Sequence, residues 1–497
     1  MSRDNFFKST FLLIISNIII GFLSFLFSIY ISKVLSAEGM GLYNLVMPIY
    51  NLFICLMSAG VVASVSQITA VYIQKKEYCN IKMTIRTLLF FNILWASIIG
   101  ISVFFLAPYI SKYAIKDVRT LKALRIICPA MVFIASSNIF KGYFYGSLKI
   151  KVPAVIDIIE KSMRIVTVSI FFLIIKNKTL DNLVAAATSS LCFGEFQSLI
   201  FLYIYYCYEK SKMPISKCRH ESRIQLLFNV IVISVPLCLN GFLTNILGTI
   251  STLIIPRRLI HAGFTYSESL SLIGRYNGMA LNLITIPLIA VSTINTLLIP
   301  DLSKSLNEGN NIKIQRRIKK VIKSAFLLGL CTAVICNIIP HDLGYLFYKR
   351  TDLGNYIRFA SLSSPIFFTA TTMFGILNGL NRQKIILRNS FIEASLELIL
   401  LYFFTGIKFV NIYGEVLTTI IACSVGFILN IHEVKKHVDI DINFTNVIIY
   451  ILLSILTFVV INIFAKNLFS QMIFLKVLFV TGISGFIFVY LSFFGEN

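Results

Sequence analysis

Long apolar runs alternate with short polar joints from one end of the chain to the other. The runs fall at roughly 10–32, 46–72, 87–110, 123–146, 153–175, 182–208, 224–252, 277–300, 321–340, 357–380, 386–407, 411–431, 444–465 and 471–493. Most reach the ~20 residues that a helix needs to cross ~30 Å of hydrocarbon. Within each run the apolar residues are continuous. The strands of a membrane barrel would alternate every second residue, so a barrel is excluded. The pattern predicts an all-α integral membrane protein with about fourteen transmembrane helices. The first run, Phe11 to Tyr30, follows Arg3 and Lys8 as a signal peptide would. It is longer than a typical signal core and lacks a small-residue cleavage site, so it is read as an uncleaved first helix.

The sequence also repeats itself at an offset of 233 residues. Gly41-Leu42-Tyr43-Asn44 recurs as Gly274-Arg275-Tyr276-Asn277, and Gly142 and Gly146 recur as Gly375 and Gly379. Lys149, Lys151 and Glu160 match Arg382, Lys384 and Glu393 in the same register. The offset covers six runs, an even number, so both copies keep one orientation in the membrane. That predicts two six-helix lobes, 1–223 and 224–437, related by an axis along the membrane normal, with two further helices in 438–497. Transporters built this way bind substrate between the lobes and rock one against the other. No filter-like loop favours a channel. The paired glycines, one helical turn apart, let helix backbones approach closely, as plain packing or as a hinge.

Composition changes the picture little. The 497 residues are 57% hydrophobic and only 13% charged, with a mean hydropathy of +0.83, against about 25% charged in ordinary soluble domains. A net charge of +23 could suggest nucleic acid. The Lys and Arg residues, however, sit in the short joints, where they set membrane orientation, and no nucleic-acid partner is expected. They favour the N-terminal side, which places both termini in the cytoplasm. Lys313, Arg316, Arg317, Lys319 and Lys320, after Asp301, read as an amphipathic helix on lipid headgroups or as an ordinary basic loop. Ten cysteines without a CxxC pair, and five scattered histidines, indicate no disulfide framework, metal site or cofactor. No nucleophile–base set or nucleotide-binding motif is present, so no enzyme is expected.

Ionisable residues inside apolar runs cost ~2.5–3.5 kcal/mol each at a helix centre, which makes them site candidates. The fifth run carries Asp157, Glu160, Lys161 and Arg164; Glu160 and Arg164, four apart, share a helix face. They either line a wet cavity or form a structural ion pair. Glu195 lies in the sixth run, Arg257 and Arg258 end the seventh, and Glu393 and Glu397 lie in the eleventh. Lys33, Arg164, Arg257, Arg258 and Arg275 suit an anionic substrate, because guanidinium and ammonium groups bind phosphate well. Glu160 joins them as a cavity candidate. Glu160 and Glu195 are also the carboxylates of the first half that could exchange H+ or Na+.

Several segments resemble the stage V sporulation protein B branch of the superfamily that also holds multidrug and toxin extrusion exporters, polysaccharide flippases and the lipid II flippase. Lys33-Val34-Leu35-Ser36-Ala37-Glu38-Gly39-Met40-Gly41-Leu42-Tyr43 is similar to that branch's first loop, with Pro48 and Tyr50 following. Lys141-Gly142-Tyr143-Phe144-Tyr145-Gly146, with Pro153 and Glu160, resembles its junction of helices 4 and 5. Ile255-Pro256-Arg257-Arg258-Leu259, Tyr276-Asn277-Gly278-Met279-Ala280 and Gly375-Ile376-Leu377-Asn378-Gly379-Leu380-Asn381-Arg382-Gln383-Lys384 match later joints in the same order. The resemblance covers most of the chain. It implies fourteen helices, two lobes around a central cavity, and movement of an undecaprenyl-pyrophosphate-linked saccharide for cell wall or spore cortex. In the lipid II flippases it also implies cationic cavity residues that meet the diphosphate and a groove at helices 13 and 14 for the lipid tail. Two departures stand out. The first run holds no arginine where those flippases carry a cavity arginine, and Ser251 stands where related chains often carry an acid ahead of Pro-Arg-Arg.

The expected function is a flippase of a lipid-linked oligosaccharide, working by alternating access among the lipids of a bacterial plasma membrane. Two alternatives stay open: a cation-coupled multidrug exporter, and a membrane scaffold for wall synthesis that transports nothing.

Overall fold

A computed structural model describes residues 3–58, 60–214, 222–438, 444–468 and 472–494. Among them no strand occurs. The helices are α1 (Arg3–Ser58), α2 (Val61–Gln74), α3 (Tyr78–Tyr109), α4 (Leu121–Gly146), α5 (Lys151–Ile174), α6 (Leu180–Lys212), α7 (Arg223–His261), α8 (Tyr266–Ile273), α9 (Leu281–Ile284) and α10 (Leu288–Asn307). They continue as α11 (Asn311–Ile338), α12 (Pro340–Tyr348), α13 (Gly354–Ser361), α14 (Ser364–Gly379), α15 (Gln383–Phe404), α16 (Gly414–Lys435), α17 (Phe444–Leu468) and α18 (Ile473–Phe494). A π-helical segment, Gly274–Ala280, joins α8 to α9.

Nine helical stretches among the described residues are long and apolar enough to cross a membrane. They become eleven when two bent pairs, Tyr266–Ile284 with Leu288–Leu306 and Gly354–Ser361 with Ser364–Gly379, each count as one span. Length and composition therefore stop short of the expected fourteen, for identifiable reasons. α5 carries Asp157, Glu160, Lys161 and Arg164, and α15 carries Arg388, Glu393 and Glu397, which is too much charge for a span judged on hydropathy. The first two expected spans are fused in the 63-residue stretch Leu12–Gln74. A straight helix of that length would run ~95 Å, three times the hydrocarbon thickness. The stretch is broken instead, at Ser36 (φ 65°, ψ 179°) inside α1 and at Gly60 (φ 77°) before α2.

The chain packs as two compact units, Met1–Leu35 with Leu42–Leu253, and Ser36–Gly41 with Ile254–Asn497. Residues 224–253 of α7 thus go with the first unit, whereas the expected lobe boundary at 223/224 puts them with the second half. In the first unit Val65, Ile81, Ile85, Leu88, Phe140, Tyr143 and Phe144 form a buried cluster from α2, α3 and α4. In the second, Leu298, Ile314, Ile318, Val321, Met373, Ile376 and Leu377 do the same from α10, α11 and α14. Each residue of the second set lies 233 positions after its counterpart in the first, so the repeat is one of core packing as well as of sequence.

The glycine pairs show why the register is kept. A Cβ on Gly142 would stand 2.8 Å from Val65 Cβ and 3.0 Å from the Val62 carbonyl oxygen, and one on Gly146 would lie 2.8 Å from Thr69 Cβ. In the second unit a Cβ on Gly375 would meet the Asn295 side chain at 2.6 Å, and one on Gly379 would meet Leu302 Cβ at 2.8 Å. Val62 and Thr69 correspond to Asn295 and Leu302 at the same offset. Each pair therefore acts as a close-packing seam. Gly41 and Gly274 are reciprocal within the second unit. A Cβ on Gly41 would strike the carbonyl of Leu270, and one on Gly274 the carbonyl of Ala37. Ala37 and Leu270 are again 233 residues apart.

α17 and α18 both pack on α11, where Ser324 and Ser492 share a hydroxyl contact of 2.8 Å. Lys476 of α18 is paired with Asp342 of α12 at 2.7 Å.

Candidate functional site

In the first unit, α5 turns its ionisable stripe toward α6. Arg164 Nε donates to Glu160 Oε1 at 2.9 Å, and its Nη2 donates to the same oxygen and to Glu195 Oε1 at 3.2 Å. Lys161 Nζ stands 3.0 Å from the other Glu160 oxygen. Glu160, Glu195 and Arg164 are only 5, 8 and 10% exposed. Gly194 makes the room, since a Cβ there would lie 2.7 Å from Glu160 Oε1. One helix face away, Lys141 of α4 pairs with Asp157 at 2.8 Å. Phe27 lies under the Arg164 guanidinium at 5.9 Å. The buried Tyr50 hydroxyl has no hydrogen-bond partner among the described residues, yet it feels the charges of Glu195, Arg164 and Glu160. Two carboxylates face two cations here. The cluster is balanced, and its cohesion depends on every member, because removing one leaves a buried charge unmatched.

The same register builds something different in the second unit. Glu393 takes the place of Glu160, and Gly426 of α16 makes its room, with a Cβ there 2.5 Å from Oε2. The position equivalent to Arg164 is Glu397. Glu393 bonds to Cys423 and feels Glu397; Glu415, at the start of α16, feels Glu397 and accepts a hydrogen bond from Asn277 at 3.1 Å. None of the three carboxylates has a basic partner among the described residues.

The remaining candidates do not join the α5 cluster. Lys33 is exposed on α1 and pairs with no described residue. Arg257 is exposed near the end of α7. Arg258 is engaged locally: its Nε donates to the Tyr402 carbonyl at 2.7 Å, its guanidinium lies 4.1 Å from the Tyr402 ring centre, and Gly406 packs against it. It thus caps the last turn of α15, where free carbonyls and the helix dipole favour a cation. Arg275, in the π-helical segment, has its Nε 3.2 Å from Asp352, which Arg350 also holds through bonds of 2.9 and 2.7 Å. The Arg350 hydrogen bonds keep the Asp352 carboxyl below its ordinary range. The structure therefore brings Glu160, Arg164 and Glu195 together and leaves Lys33, Arg257, Arg258 and Arg275 outside that cluster.

Sequence reasoning missed Tyr50 and Gly194 as parts of the α5 cluster, and Glu415 beside Glu393 and Glu397. The exchange of Arg164 for Glu397 was visible at the repeat offset. The tertiary partners Gly194, Tyr50 and Glu415 left no local signal.

Residues 6–306, more than half of the chain, match the family described as polysaccharide biosynthesis protein. The chain belongs to this family. It is 23% identical over 446 residues to stage V sporulation protein B of Bacillus subtilis (strain 168), a match covering 89% of this chain and 86% of that protein. It is 22% identical over 453 residues to the lipid II flippase MurJ of the same organism, covering 86% and 82%. The fold is that of a lipid II flippase MurJ solved in an inward closed conformation, with a TM-score of 0.69 at 14% identity over 98% of this chain and 97% of that one. It is a multi-pass membrane protein built on a transporter fold.

Proposed function

We propose that this family member is a flippase for an undecaprenyl-pyrophosphate-linked saccharide, a precursor of peptidoglycan, spore cortex or a related polysaccharide. It would work by alternating access in a bacterial plasma membrane, with both termini in the cytoplasm and the lipid tail remaining among the membrane lipids. The observation that carries the reading is the likeness, in sequence and in fold, to lipid II flippases along nearly the whole chain. The repeated core supports it, since two similarly built halves suit rocking motion. We keep the lobes 1–223 and 224–437, with 438–497 added, as the moving parts.

For the diphosphate we place Lys33, Arg257 and Arg275 as contacts. Arg275 would exchange its carboxylate partner Asp352 for a phosphate. Arg164, matched by Glu160 and Glu195, and Arg258, bound to Tyr402, act as positioning residues in this reading. A coupling ion, H+ or Na+, would act at Glu393, Glu397 and Glu415 rather than at Glu160 or Glu195, whose charges are already met. Those unmatched carboxylates also favour a second reading, a cation-coupled multidrug exporter. In liposomes holding the purified protein, a fluorescent lipid-linked saccharide should be flipped. Lys33→Gln with Arg257→Gln should abolish flipping while leaving insertion intact. Undiminished flipping by that variant would remove both residues from the mechanism. Gradient-driven efflux of a cationic dye, lost on Glu393→Gln and without saccharide flipping, would establish the exporter instead.

A further inference from the structure

The first turns of α11 run against ordinary helix electrostatics. A helix N-terminus carries partial positive charge and favours acids, yet the first turn of α11 has none. Lys313, Arg316, Arg317, Lys319 and Lys320 crowd into eight residues instead. Asp301 of α10 answers two of them, 3.0 Å from Arg317 Nε and 3.7 Å from Lys313 Nζ. Arg316 and Lys319 pair with no acid among the described residues. Lys313, Arg316, Arg317 and Lys320 line a pocket of about 690 Å³ together with Asn310 and Ile312. Ile312, 71% exposed, adds an apolar edge to it.

The position of the pocket selects its occupant. The basic turns lead directly into the apolar part of a span, Asn311–Ile338, and at 1.5 Å per residue they lie within about 15 Å of it along the helix. That is headgroup depth, where basic pockets beside a transmembrane helix hold anionic lipids. We propose that this pocket binds the phosphate headgroup of an anionic phospholipid of the surrounding membrane. Arg316 and Lys320 would contact the phosphate, Lys313 and Arg317 would be shared between it and Asp301, and Ile312 would meet the upper acyl chain. The site is separate from the residues placed above on the transported lipid-linked saccharide. The shared chemistry is a lipid phosphate, so the test must separate the two sources.

The full-length protein in detergent should be titrated with phosphatidylglycerol and with phosphatidylcholine of matched chains, with bound lipid counted by native mass spectrometry. The wild type should prefer phosphatidylglycerol. Arg316→Gln should weaken that preference about fivefold, and Arg316→Gln with Lys320→Gln roughly 25-fold, at about fivefold per charge. Asp301→Asn releases Lys313 and Arg317 and should strengthen binding, an opposite sign that a merely misfolded variant would not give. An unchanged preference in the double variant, or weaker binding in Asp301→Asn, would overturn the proposal. So would displacement of phosphatidylglycerol by an equimolar polyprenyl diphosphate, which would assign the pocket to the substrate, or displacement by millimolar inorganic phosphate, which would make it a simple ion site.

Discussion

Replacing Gly274 by alanine drives a methyl group into the backbone of residues 37–41. Its Cβ would overlap the Ala37 carbonyl oxygen and stand 2.8 Å from the Ala37 carbonyl carbon and 3.0 Å from the Gly41 nitrogen. Comfortable carbon contacts lie at ~3.5–4.0 Å, so the two segments must part by about 1 Å. No neighbour here is a flexible side-chain tip, and the whole crossing has to move. Overpacking of this kind costs about 1–3 kcal/mol. Gly41→Ala makes the same demand from the other side, against the Leu270 carbonyl. Because one separation relieves both clashes, the double variant should be little worse than the more damaging single one, a coupling of about 1–2 kcal/mol. Gly248 of α7, with nothing within 4 Å of its would-be Cβ, is the control; alanine there should be neutral or stabilising by up to about 1 kcal/mol. Thermal unfolding in detergent, followed by the fraction that stays monodisperse, would compare the four variants with the wild type. Wild-type stability in Gly274→Ala, or two penalties that simply add, would refute the reciprocal contact.

Two other outcomes follow from the charges. Arg164→Met leaves Glu195 buried without its cation and Glu160 with Lys161 alone, and should cost about 3–5 kcal/mol, while adding Glu195→Gln should recover most of the loss; a double variant no better than the single would mean that Arg164 acts through packing. Asp352, held below its ordinary carboxyl value of 3.8 by Arg350 and Arg275, contributes stability above that value and loses it as pH falls through the folded-state value. The melting-temperature gap between wild type and Asp352→Asn should therefore be constant above about pH 5 and close below about pH 4, and a gap that widens on acidification would contradict the assignment.

The helical, membrane-spanning class was legible because apolar runs of span length need no tertiary information. The repeat was equally plain, since Gly142, Gly146, Gly375 and Gly379 sit where only a missing Cβ lets helices close. Counting spans was harder. Charges that make α5 and α15 interesting also hide them from hydropathy, and the break at Ser36 has no Gly or Pro at the residue itself to announce it. Within the candidate site, Glu160 and Arg164 could be paired from a spacing of four. Glu195, 31 residues further on, could not, because a long-range contact is decided by which faces α5 and α6 bury. The charge of Arg258 suits a substrate contact, and only the fold reveals its bond to Tyr402, 144 residues away, which gives it a helix end to cap.

The short stretch Ser36–Gly41 belongs by its contacts with residues that come much later in the chain. A ribosome adding about 5–20 residues per second makes Gly41 on the order of 10 to 50 s before Gly274. For that interval a newborn chain carries a backbone surface shaped for a neighbour that does not yet exist. A gene cut at the boundary of the duplication would yield a first product with this seat vacant. The two halves share an ancestral plan, but the earlier one cannot be finished until the later one arrives.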